Sequence, residues 1–209
     1  MDIGTRNLNN VRLFWQGTRG NATGISLRSD LARSREVDVV GGDARGLPFR
    51  DESLGHVTMS SLMESVIEPF VCPSETLKVL RSDGELHVQF LNPAFLVESH
   101  SGLLMYFYLP VRARDGLAEI AGCTRVKEIE ILLLPKIRTI LRRLGRIREI
   151  VTATFSCSEP LLPGSAQMRV WHRILRFLGI FLILPIGYVE TVRERELWYL
   201  GWTGVAVHL

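Results

Sequence analysis

The sequence predicts an α/β fold built around a mostly parallel sheet. Three observations carry that expectation. From residue 37 to residue 91, short apolar strands alternate with loop-and-helix segments, the order that right-handed strand–helix–strand crossovers require. The candidate strands are short and rich in β-branched residues, as in Val37-Asp38-Val39-Val40, which favours a buried strand over a helix. Glycine and aspartate follow one of them directly, in Gly41-Gly42-Asp43, the punctuation of a strand that turns into a loop.

Each element follows in order. Residues 1–4 read as the tail end of a strand whose beginning is missing. Residues 7–16 carry Leu8, Val11, Leu13, Phe14 and Trp15 in helical rhythm, stopped by Gly17-Thr18-Arg19-Gly20. Residues 22–26 form a second strand, residues 29–34 a short helix with Ser29 as cap, residues 37–40 a third strand and residues 55–59 a fourth. A helix over 73–81 starts with Pro73 in its first turn, and 85–91 alternates as a fifth strand. Residues 93–109 are aromatic and apolar, with Phe95, Tyr106, Phe107 and Tyr108. A helix over 131–144 bears Arg138, Arg142 and Arg143, and 147–155 reads as a sixth strand. Within 156–195 an amphipathic helix over 168–180 carries Arg169, Arg173 and Arg176. Residues 197–207 close the chain as a last apolar strand.

Composition bounds the function. A chain of 209 residues, 46% hydrophobic and 22% charged, suits one globular domain with elaborations. Residues 1–122 hold 12 Lys+Arg and 15 Asp+Glu (−3), residues 123–209 hold 13 and 7 (+6), so an anionic partner would meet the second half. Arginine outnumbers lysine 22 to 3, and its alternation with glutamate fits a solvated surface equally well. Basic and aromatic residues do not interleave as in single-strand nucleic-acid binders. Cys72, Cys123 and Cys157 are three widely spaced cysteines without a C-x-x-C pair or a histidine cluster, so neither a metal site nor a disulfide framework is expected, and a reducing cytoplasmic setting is. The apolar run 177–189 is interrupted by Pro185 and is too short for a span of about 20 residues. No signal peptide is expected after Met1-Asp2.

Three words stand in order: Gly42-Asp43-Ala44 with Leu47-Pro48-Phe49, then Asp51-Glu52-Ser53-Leu54-Gly55-His56-Val57, then Lys78-Val79-Leu80-Arg81-Ser82-Asp83-Gly84. In that order and spacing the chain resembles the class I S-adenosylmethionine-dependent methyltransferases of the methyltransferase 11 type. The resemblance implies a doubly wound, Rossmann-like seven-stranded sheet of order 3-2-1-4-5-7-6 with a truncated first strand. It implies one domain over 1–209, a lid or substrate insertion over 92–130, and an apolar and basic helical insertion over 156–195. It also implies S-adenosylmethionine as cofactor, held by Asp2, Gly4, Ser26, Asp43, Ala44 and Ser60, with Asp43 taking the adenine amino group.

Two departures stand beside the matches. After Asp2-Ile3-Gly4, Arg6 and Leu8 occupy the places of the family's second and third glycines. Ser26 stands where a carboxylate would take the ribose hydroxyls, and a hydroxyl lacks the charge that strengthens such bonds about twofold. Ser60 serves as well as a helix cap, and His56 sits within a strand as a packing residue. Glu98 and His100 are the candidates for a general base, with a surface-loop role as the competing explanation for His100. The sequence therefore supports a methyltransferase acting on a small molecule or a lipid- or glycan-type acceptor. A catalytically inactive methyltransferase-like scaffold and a membrane-surface subunit, peripheral to the bilayer through 95–110 and 177–189, remain alternatives.

Overall fold

The computed structural model describes residues 1–4, 23–27, 38–98, 101–123, 129, 131–144, 149–155 and 187–193, with single helical positions at 170, 173, 174 and 177. Seven strands form one sheet: β1 (Asp2–Ile3), β2 (Thr23–Ser26), β3 (Asp38–Gly41), β4 (Leu54–Ser60), β5 (Leu80–Leu91), β6 (Glu149–Phe155) and β7 (Gly187–Arg193). Their spatial order is β3-β2-β1-β4-β5-β7-β6. All neighbours from β3 to β5 are parallel, and β7 runs antiparallel between β5 and β6. This is the doubly wound, Rossmann-like arrangement that the sequence predicts, with its order reversing between β1 and β4.

Burial explains why these segments are strands. In β5, Leu86, Val88 and Phe90 are buried while His87, Gln89 and Leu91 between them are partly exposed, the period-2 pattern of a strand with one dry face. Ile3, Ile25, Val57, Met59, Leu86, Val88 and Phe90 join one core with Cys72 and Leu77 of α1 (Val71–Val79) and with Ile137, Ile140 and Leu141 of α3 (Leu134–Arg142). Phe90 also meets Tyr188 of β7 at 5.6 Å between ring centroids. Between these helices lies α2 (Val111–Ile120), which buries Ala118 against Tyr106.

His56, expected as a packing residue, is exposed on β4, and beyond shifts of one to three residues two boundaries differ from the sequence-based expectation. The helix over 73–81 ends at Val79, and β5 begins at Leu80, because the segment 81–84 forms an irregularity in the β4–β5 ladder where Leu54↔Leu80 gives way to His56↔Glu85. Gly84 fits there because a Cβ would lie 2.9 Å from the Gly55 carbonyl. The larger correction concerns the last strand. The strand between β5 and β6 is Gly187–Arg193, inside the stretch expected to be a helical insertion over 156–195, and not 197–207. Tyr188-Val189-Glu190-Thr191-Val192 alternates well enough, but it follows directly on the apolar run 177–189, which masks its period. Residues 197–207 lie outside the described residues, as do the expected helices over 7–16 and 29–34.

Val170, Arg173, Ile174 and Phe177 of the expected 168–180 helix are helical and exposed. Among the described residues, no helix is long and apolar enough to cross a membrane. Cys72 is buried and Cys123 partly exposed, both free; Cys157 lies outside the described residues.

Candidate functional site

Parallel strands that end side by side bring their following loops to one edge. Gly4 follows β1 at φ +77°, and its N–H donates to the Ile25 carbonyl at 3.0 Å. A Cβ there would meet Leu62 Cδ1 at 2.8 Å, so left-handed backbone and close packing both call for glycine. Ser26 closes β2 with 5% exposure, opposite Gly41, and its carbonyl accepts the Gly42 N–H at 2.9 Å. Ser60 closes β4 opposite Gln89. Gly4, Ser26, Asp43, Ala44 and Ser60 thus come together on the carboxyl edge of β1–β4. Ligands of open α/β sheets bind at that edge, at the point where the strand order reverses.

Asp2 does not reach the edge. It is 2% exposed within β1, pairs with Thr58 of β4, and its Oδ1 accepts the Thr58 hydroxyl at 2.8 Å. Its carboxylate therefore ties the two central strands together.

Asp43 starts the loop after β3, in a turn closed by the Gly46 N–H on its carbonyl at 3.0 Å. Its Oδ1 accepts the Arg45 backbone N–H at 2.9 Å and Arg45 Nε at 3.1 Å, and its Oδ2 accepts Nε at 3.0 Å and Nη2 at 2.6 Å. The side-chain hydrogen bond from Arg45, then its backbone N–H, holds the Asp43 carboxyl below the usual range, so it is charged at neutral pH. At 35% side-chain exposure it remains accessible to a ligand donor, which must share it with Arg45. Close by, burial, with a further contribution from the charge of Asp43, pushes the Cys72 thiol up to about 11; that sulfur is inert.

The candidate bases separate. His100 lies outside the described residues, as do Arg6, Asn7 and Leu8. Glu98 is 2% exposed, and its Oε2 accepts both the Ser101 N–H and the Ser101 hydroxyl at 2.6 Å. The Gly102 N–H adds a bond to the Glu98 carbonyl at 2.7 Å. Glu98 thus stabilises the tight turn of the Val97–Leu104 bridge. Sequence reasoning missed Glu64, which sits 3% exposed in the 3-10 turn Met63–Ser65 directly after β4. Its signal was a carboxylate inside the apolar run Leu62-Met63-Glu64 just past a strand end. Among the described residues no cluster of His, Cys, Asp and Glu could hold a metal ion.

Comparison with known proteins accords with this geometry. Residues 1–88, from β1 into β5, match the family described as "Methyltransferase domain". A demethylmenaquinone methyltransferase from Renibacterium salmoninarum is 39% identical over 70 residues, which is 33% of this chain and 30% of that relative. The match therefore spans less than a third of the relative's length. A SAM-dependent methyltransferase from Archaeoglobus fulgidus superposes with a TM-score of 0.58 at 16% identity, over 92% of this chain and 84% of that one. A methyltransferase from Haloferax volcanii, solved in complex with the Trm112 activator, gives a TM-score of 0.59 at 13% identity, over 93% and 81%. At such identities the likeness is one of fold. Together with the matched segment it upholds the resemblance to class I S-adenosylmethionine-dependent methyltransferases.

Proposed function

Starting from a class I methyltransferase fold whose first 88 residues match the methyltransferase-domain family, we propose that this chain binds S-adenosylmethionine and methylates a small-molecule or lipid-type acceptor. One observation carries the reading. The carboxyl edge of β1–β4 pairs a left-handed glycine, Gly4, with an accessible charged carboxylate, Asp43. The glycine turns the chain off the strand end in left-handed backbone, with Leu62 packed where a β-carbon would lie, and the carboxylate accepts the hydrogens of an adenine amino group. Ser26 offers a hydroxyl to the ribose and Ser60 borders the reacting end.

S-adenosylmethionine would supply a methyl group already activated by its sulfonium. The protein's own contribution is then mostly alignment and exclusion of water. The buried aromatic and apolar side chains after β5, Phe95, Val97 and Tyr106, are suited to an apolar acceptor. The similarity to a relative named for demethylmenaquinone supports an acceptor of that kind.

Incubation with S-adenosylmethionine and reduced demethylmenaquinone, followed by mass spectrometry, tests the reading. We expect a product heavier by one methylene unit. No product despite cofactor binding would reject this acceptor class. The second reading, a scaffold without catalysis, draws on Ser26 in place of a carboxylate and on the hold of Arg45 on Asp43; failure to bind any adenosyl ligand would favour it.

A further inference from the structure

We infer that Glu64 is the acceptor-facing carboxylate of this site and selects a nucleophile that brings a hydrogen to be shed, an amine, a hydroxyl or a hydroxylated ring; this inference rests on the methyltransferase reading above. The sheet order reverses between β1 and β4. The adenosine-binding candidates Gly4, Ser26 and Asp43 lie on the β1–β3 side of that point, so the β4–β5 side is left for the second reactant.

The chain is built to put a carboxylate there. Ser61 takes φ +50°, costly for a non-glycine residue, and its N–H is held on the Gln89 carbonyl of β5 at 3.0 Å. That reversal carries Met63 and Glu64 inward, to 1% and 3% exposure. Glu64 Oε2 then accepts the Leu91 N–H at 3.4 Å, which sets the carboxylate over the last residue of β5. Glutamate is almost never fully buried unless paired, and a carboxylate within hydrogen-bond reach of a reacting group can serve as its general base. Glu68, four residues on, is exposed and has no such placement.

The chemistry balances with groups already named. As an electron pair of the acceptor (a lone pair of nitrogen or oxygen, or the π pair of a hydroxylated ring) forms its bond to the methyl carbon and the sulfur keeps the broken bond's electron pair, the acceptor's proton passes to the Glu64 carboxylate. An acceptor with a carboxylate or phosphate beside the reacting atom would be repelled.

Calorimetric titration with two cofactor analogues tests this without knowing the acceptor. S-adenosylhomocysteine carries nothing at the methyl position, whereas sinefungin places an ammonium there. We expect the wild-type chain to bind sinefungin at least about 5-fold more tightly than S-adenosylhomocysteine. Glu64→Gln should erase that preference while leaving S-adenosylhomocysteine affinity within about 2-fold, Glu64→Asp should keep part of it, and Glu68→Gln should keep all of it. Equal wild-type affinities, or an unchanged preference in Glu64→Gln, overturn the inference while leaving the methyltransferase reading intact. Should Glu64→Gln fail to fold, the wild-type ratio alone decides. Binding of neither analogue overturns both.

Discussion

At the residue scale, the site turns on two positions with opposite histories. Ser26 ends β2 where a carboxylate would accept two ribose hydroxyls, and it offers one neutral oxygen. Hydrogen bonds to charged groups contribute about 1.5–3 kcal/mol against about 1 for neutral ones. Ser26→Asp is therefore expected to tighten S-adenosylhomocysteine binding about 5- to 10-fold by calorimetry. Unchanged or weaker binding would place the ribose elsewhere. Asp43 behaves differently, because Arg45 already satisfies it. The pair is exposed, so solvent screening leaves it little worth to stability. The folded carboxyl is depressed, so that contribution is present above the ordinary carboxylate range and is lost as pH falls through the depressed folded value. Asp43→Asn is expected to lower Tm by less than about 3 °C at pH 7. That difference should vanish in acid, below the folded carboxyl's range. A large Tm loss that persists in acid would point to a structural role.

At the element scale, the sheet's far side depends on one buried carboxylate. Glu190 of β7 is fully buried, and its one described counter-charge is Arg138 of α3, whose Nε lies 3.4 Å from Glu190 Oε1 in an ion pair that falls short of hydrogen-bond geometry. Arg138 also donates through Nη2 to the Thr152 hydroxyl of β6, so one side chain ties α3 to two strands. Removing one member of a buried pair costs about 3–5 kcal/mol, whereas replacing both with apolar residues is often neutral. Arg138 is partly exposed, so Arg138→Ala is expected below that range, about 2–3 kcal/mol by urea unfolding. Arg138→Met with Glu190→Met should recover most of it. A double variant no better than the single one would refute the pairing argument. This tie was not legible in the sequence, because Glu190 was read as part of a helical insertion. The apolar run before β7 hid the strand's alternation. By contrast β2 to β6 could be read, since β-branched residues between glycine and proline stops leave little choice. Helix α2 escaped because Arg112, Arg114, Asp115 and Glu119 surround a single buried Ala118, too narrow an apolar stripe to register.

At the scale of the whole molecule, the order of seven strands creates the site, because a parallel sheet whose strand order reverses between β1 and β4 opens a crevice at its carboxyl edge. The candidates read from sequence at strand ends, Gly4, Ser26, Asp43, Ala44 and Ser60, all reach that edge. Strand ends follow from local pattern. Asp2 and Glu98 do not stand free there, and Glu64 went unseen, because burial and hydrogen bonding of a carboxylate depend on partners distant in sequence. On this reading the edge holds an adenosyl ligand with the carboxylate of Asp43 on the adenine. Titration of the chain with S-adenosylhomocysteine, followed by calorimetry, is the decisive check on that placement. One site with an affinity in the range of about 1 μM to 1 mM, weakened at least about 10-fold by Asp43→Ala, is expected; the absence of binding heat at millimolar ligand, or affinity untouched by Asp43→Ala, would contradict it.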